Sequence, residues 1–211
     1  AGAASVDRAG TWTPGKLGPA IPPAFLGEGL INDGSFELGP PPASAWTEVG
    51  NPVCGRIGDF SGIWYVSAFD GTNDYWAGGY CDDGSGNVPV ITSVTQTISI
   101  PAETTQLSFY YIAFRPSADD VPADGDYAYV AVNGAEVWTL ELIRANDTYP
   151  NWSKQTAVDL SAYAGQSVSL TFGNVSIGDL TGNIRFDYIE LTAGPAIVES
   201  STWGAVKALY R

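Results

Sequence analysis

The sequence predicts an all-β fold, an antiparallel β-sandwich of the jelly-roll kind, with an extended N-terminal arm and a short C-terminal helix. Three observations predict it. Short β-rich runs separated by turn residues recur from Leu30 onward, sustained helical periodicity is nearly absent, and Asn133-Gly134 is a strong hairpin signal. At 211 residues the chain is long enough to bury a full core in one domain.

Residues 1–28 carry Pro14, Pro19, Pro22 and Pro23 among many Ala and Gly, with no period of 2 or 3.6, and read as an extended arm. The sandwich is expected over 29–193. Its strands are placed at Gly62–Phe69, Ser93–Ile100, Gln106–Phe114, Tyr127–Val132, Glu136–Leu142, Gln155–Leu160, Ser167–Phe172 and Asn183–Leu191. Between them, Phe69–Val88 and the acidic stretch Arg115–Asp126 read as long loops. The tail, 194–211, changes character: Trp203, Val206, Leu209 and Tyr210 fall at helical spacing after Ser201 and Thr202, so a short amphipathic helix is expected there. It is too short to hold alone and must pack on something.

The closing strand carries the most information. Its apolar residues run Ile184, Phe186, Tyr188 and then Ile189, Leu191, so the two-residue alternation slips near Asp187. Such a slip reads as a bulge that turns an acidic side chain out of the pattern. The expected partner is Leu30–Leu38, bearing Asp33 and Glu37. Carboxylates from two distant segments would then meet, an arrangement that suits a hard cation.

Composition excludes several functions. Nine Lys+Arg against 23 Asp+Glu leave a formal charge of −14, which repels phosphate backbones and anionic lipid but attracts divalent cations. Nucleic acid and membrane insertion are therefore not expected as partners. With no histidine, neither a Ser-His-Asp nor a Cys-His nucleophile can be assembled. A glycosidase carboxylate pair is compatible with composition, but no pair is placed at opposed strand positions, so no enzyme is expected. The chain has no methionine and no apolar run of membrane-spanning length, and it reads as a processed, secreted protein. Its two cysteines, Cys54 and Cys81, are then expected to form a disulfide, worth on the order of 3 kcal/mol.

The ordered set Asn32-Asp-Gly-Ser-Phe-Glu37, Trp46, Ser61-Gly62, Val94 to Pro101, Leu107-Ser-Phe-Tyr110, Val130-Ala-Val-Asn-Gly134, Val158-Asp-Leu-Ser-Ala-Tyr-Ala-Gly165 and Phe186-Asp187 resembles the jelly-roll modules of secreted bacterial proteins, related to galactose-binding-like and carbohydrate-binding domains. The resemblance spans about residues 30–192. It implies two packed antiparallel sheets and a structural Ca2+ near the joined first and last strands. Glu37 and Asp187 match the side-chain ligand positions, with a backbone carbonyl near Ser61 as a third, and Asp33 joins them by its position. The competing reading is that these are hydrogen-bonded strand-end carboxylates with no metal.

Sugar recognition needs aromatic faces beside polar partners. Tyr75, Trp76 and Tyr80 lie among Asp74, Asp82 and Asp83, and Trp152 lies beside Tyr149 and Asn151. The alternative for the first group is packing over the cysteine bridge. Trp64 and Trp138 sit inside alternating runs and are expected in the core. The resemblance covers sugar binders, adhesins and repeat units of surface structures, and the fold does not choose between them. The long arm favours a structural subunit of an extracellular filament, tube or surface layer, a homo-polymer bridged through Pro19, Pro22, Pro23 and Phe25 of the arm or Trp203, Leu209 and Tyr210 of the tail. The alternative is a carbohydrate-binding module or adhesin domain that takes polysaccharide.

Overall fold

The computed structural model describes residues 30–51, 54–78, 90–114, 125–177 and 182–193, together with short strand pairs within 5–13 and 80–87. The strands are β1 (Ser5–Val6), β2 (Trp12–Thr13), β3 (Thr47–Val49), β4 (Gly55–Gly58), β5 (Asp74–Gly78), β6 (Tyr80–Cys81), β7 (Gly86–Asn87), β8 (Val90–Ser99), β9 (Thr104–Phe114), β10 (Tyr127–Val132), β11 (Ala135–Glu141), β12 (Ser153–Asp159), β13 (Ser167–Ser176) and β14 (Asn183–Ala193). One four-residue helix, α1 (Ser61–Trp64), is described. Two five-stranded antiparallel sheets, β11-β10-β13-β8-β3 and β12-β9-β14-β5-β4, pack face to face as the expected sandwich.

Alternation aims every second side chain of each sheet at the other. The inner row Val94, Phe172 and Val130 of the first sheet meets Phe109, Phe186 and Tyr75 of the second. Phe172 lies edge-on to both Phe109 and Phe186, at 5.2 and 5.1 Å between ring centroids. Phe36 and Trp46 close one end of this core. Asn133 and Gly134 both take positive φ in the β10–β11 hairpin, as the sequence predicts.

Three placements differ from the sequence reading. Residues 30–38 form turns, and the neighbours of β14 are β9 and β5. The contact with the first segment survives in another form: Ile189 N donates to Gly34 O at 2.9 Å. A Cβ at Gly34 would lie 2.4 Å from Ile189 O, so only glycine permits this approach. Residues 62–69 hold most of α1 and a loop instead of a strand. The expected 69–88 loop contains β5, which is paired on both sides within its sheet. All five residues of β5 are buried, so its sequence shows no alternation.

Strand β14 is buried on both faces because residues 59–73 roof the outer side of its sheet. Arg185 makes a two-pronged pair with Asp74, through Nε to Oδ1 and Nη2 to Oδ2, while its Nη1 donates to Val66 O at 2.8 Å. Burial pushes the Asp74 carboxyl up, to about 6, against the lowering effect of the guanidinium. Asp74→Ala leaves a buried guanidinium unpaired and is expected to destabilise by about 3–5 kcal/mol in chemical denaturation. The double change Asp74→Leu with Arg185→Met should cost less than that single one.

Candidate functional site

The two outer faces of the sandwich differ. On the β11-β10-β13-β8-β3 sheet the outward residues form cross-strand rows: Ile91, Val175, Tyr127 and Glu141; then Val49, Ser93, Gly173, Tyr129 and Thr139; then Thr47, Thr95, Thr171, Ala131 and Glu136. Val49 and Ile91 at its rim are 56% and 63% exposed. The rows carry hydroxyls. Thr95 Oγ1 is 2.6 Å from Thr171 Oγ1 and 3.3 Å from Ser169 Oγ, and Tyr127 Oη donates to Glu136 Oε1 at 3.1 Å.

Gly173 sets the form of this face. A Cβ there would lie 2.6 Å from Tyr129 Cζ and 2.7 Å from its Oη. The Tyr129 ring therefore lies across bare backbone of β13, where any side chain would lift it. Tyr127 stands beside it, 6.1 Å between centroids and tilted by 49°. Partial burial raises the Tyr129 hydroxyl's pKa, and its hydrogen bond with Ser93 works against that. The result is a pair of aromatic rings surrounded by hydroxyls, a surface that can stack on and hydrogen-bond a polyhydroxylated ligand.

On the other sheet the roof segment brings Phe69 onto Tyr110, stacked at 3.5 Å between centroids. Trp152 and Tyr188 stand edge-on to Phe69 at 6.3 and 5.7 Å. Trp152 is fixed by its Nε1 bond to Ser67 O, 3.0 Å long.

The expected carboxylates lie along the seam of turn 32–38, roof and β14, but among the described residues no three acidic side chains stand close enough together to hold a metal ion. The register of β14 against β9 shifts between Asp187 and Glu190, with Tyr188 at φ 49°, so the predicted bulge is present. Asp187 Oδ2 accepts from Asp70 N at 2.9 Å and Oδ1 from Tyr188 N at 2.6 Å. Burial pushes the Asp187 carboxyl up to about 8, and the nearby Asp74 charge adds to the rise. Glu37 Oε1 accepts from Thr72 N and Asn73 N at 2.8 and 2.7 Å. Asp33 Oδ1 accepts from Leu38 N, whereas its buried Oδ2 has no hydrogen-bond partner. Asp33, Glu37 and Asp70 line one cleft. Ser61 lines a separate hollow with Asp59 and Ser67, which Gly71 and Thr72 also border.

Tyr75 and Trp76 do not form the expected exposed platform. Alternation turns Tyr75 inward against Phe36 and Phe186, and Trp76 lies beneath Phe60 with its Nε1 donating to Asn183 Oδ1, so both are at most 1% exposed. The side chains of Tyr80, Cys81 and Trp64 lie outside the described residues, as do Pro19, Pro22, Pro23, Phe25, Trp203, Leu209 and Tyr210. Cys54 is fully buried and is not a free thiol. Trp138 packs partly buried against the core, as expected. Sequence reasoning missed Tyr127 and Tyr129. Their signal was a tyrosine pair at the polar positions of an alternating strand, with Gly173 inside another strand marking a close approach.

No protein family and no curated protein matches the chain by sequence. Solved structures do match. A CBM61 module solved with β-1,4-galactotriose aligns at TM-score 0.53 and 14% identity, over 78% of this chain and 98% of that one. Two cleaved adhesin domains of the Lys-gingipain of Porphyromonas gingivalis align at TM-scores of 0.54 and 0.52, with 14% and 15% identity; each match covers 76% of this chain and 96% or 97% of the other. Among the described residues no helix is long and apolar enough to cross a membrane. The chain thus has the two-sheet β-sandwich fold found in these carbohydrate-binding and adhesin domains.

Proposed function

We propose that this chain is a secreted, non-catalytic module that binds a neutral polysaccharide on the open face of the β11-β10-β13-β8-β3 sheet. The observation that carries the reading is the Tyr129 ring laid across Gly173 beside Tyr127. Flat rings meet the C–H faces of pyranoses, and the flanking hydroxyls of Thr95 and Thr171 meet their alcohols. A protein of net charge −14 whose face carries Glu136 and Glu141 favours an uncharged chain. The likeness to carbohydrate-binding and adhesin folds supports this reading over assembly into a filament.

In the same proposal, Glu37, Asp187 and Asp33 hold a structural Ca2+, and Cys54 is bridged to Cys81. The buried Asp33 Oδ2, without a hydrogen-bond partner, supports this reading, and the cation would have to draw the three carboxylates closer than they stand here. Each carboxylate also retains acceptor capacity beyond its backbone bonds. Calcium there would fix the turn, roof and closing strand to one another.

Retention on a panel of neutral polysaccharides, by affinity electrophoresis, tests the binding reading. Tyr129→Ala should weaken retention about tenfold, or about 1.4 kcal/mol, with the melting temperature little changed. Full retention by that variant, or none by the parent, would reject the reading. For the cation, a chelator should lower the melting temperature, and Asp187→Ala should abolish that sensitivity.

In chelator, the proton held by folded Asp187 makes stability pH-dependent. The unfolded carboxyl releases its proton near its ordinary value of 3.8 and the folded one only near about 8. The stabilisation is thus full at low pH and lost as pH rises between those values. Urea titrations should show that fall, and Asp187→Asn should flatten most of it.

A further inference from the structure

We infer that an internal water is bound between the two sheets by the carboxamide of Asn174 and the hydroxyls of Thr92 and Tyr75. The site lies on the inner side of the strands that carry Gly173 and Tyr129, and it is independent of any ligand taken on their outer side.

The alternation of β13 sets its position. Phe172 points into the core, so Asn174 also points between the sheets, while Gly173 faces out. Thr92 on β8 is the register partner of Asn174, and Ala128 on β10 is its partner on the other side. Such partners carry Cβ atoms about 4.5–5.5 Å apart, so the carboxamide and the Thr92 hydroxyl stand side by side. Both residues are fully buried. The second sheet comes close here: a Cβ at Gly55 would lie 2.6 Å from Thr92 Oγ1. Ala77, the register partner of Gly55, and Tyr75 on the same strand face the core beside it. The Thr92 hydroxyl is near enough to Tyr75 to act on its hydroxyl, working against the upward pKa shift that burial imposes.

The hydrogen bonds available here call for water. Asn174 Oδ1 and Nδ2, Thr92 Oγ1 and Tyr75 Oη are all buried, and none has a hydrogen-bond partner among the described residues. A carboxamide offers donors and an acceptor, and each hydroxyl can act as either. The neighbouring Gly55, Ala77 and Ala128 bring no polar side-chain atom to meet them. Left unbonded, these atoms together would cost a large share of a domain's marginal stability. The three side chains are uncharged, which disfavours an ion, and their full burial leaves no room for an organic ligand. Water both donates and accepts, and when buried it makes about three hydrogen bonds. Further along β13 the polar lining continues, where the buried Ser176 hydroxyl donates to Asp126 Oδ2 at 3.4 Å.

Oxygen-17 relaxation dispersion of the solvent detects long-lived internal waters without interference from proton exchange. The parent should show a dispersion, and Asn174→Leu should lower its amplitude. An unchanged amplitude in the folded variant overturns the inference. Two nearly isosteric changes, Thr92→Val and Tyr75→Phe, serve even where Asn174→Leu does not fold. Each removes one bond to the water and should lower the melting temperature by about 2–4 °C. A melting temperature that rises or stays level in both overturns the inference, because removing a hydroxyl that is buried and unbonded relieves its cost.

Discussion

The buried pairing of Arg185 with Asp74 is the constraint on which much of the structure depends. A guanidinium inside a sheet face must have its donors satisfied. Asp74 of β5 takes two of them and the carbonyl of Val66 takes another. That single side chain therefore ties a strand to its neighbour and draws the roof segment over both. Once the roof is down, Trp152, Asp187 and Glu37 each find a backbone group of residues 67–73 to bond. The sheet becomes a closed layer with buried polar bonds, whereas among the described residues no segment roofs the outer face of the opposite sheet.

The two sheets hold their carboxylates differently. Glu136 is exposed on the outer face of the first sheet and accepts from the Tyr127 hydroxyl. Asp187 lies under the roof, close to Asp74, and holds its proton far above the ordinary carboxylate range. The bulge at Tyr188 is what brings Asp187 to the roof's backbone while Ile189 reaches back to Gly34.

Much of the fold was legible in the sequence because half-exposed strands write their environment as alternation. Strands β8 to β13 are legible as β-rich runs between turn residues, and in β14 the slip of alternation at Asp187 marks the bulge. Strand β5 was not found, since a strand buried on both faces has no polar side to alternate with, and its flanking Asp and Gly residues imitate a loop. The apolar run from Gly62 imitates a strand by composition alone, for Tyr65 and Phe69 within it are exposed. The candidate site was less legible. Tyr75 and Trp76 attracted attention as clustered aromatics, yet clustered aromatics are what a core uses. Tyr127 and Tyr129 looked ordinary because what distinguishes Tyr129, the missing side chain at Gly173, lies on another strand 44 positions away.

That missing side chain also bears on the thermodynamics of recognition. The Tyr129 ring has already lost its rotational freedom when the sheet folds, so a ligand meeting it has little side-chain entropy left to remove. In the proposed contact, discrimination among ligands would fall to the hydroxyls of Thr95 and Thr171, which backbone register sets in one row. A surface of this kind is rigid at its centre and selective at its margins.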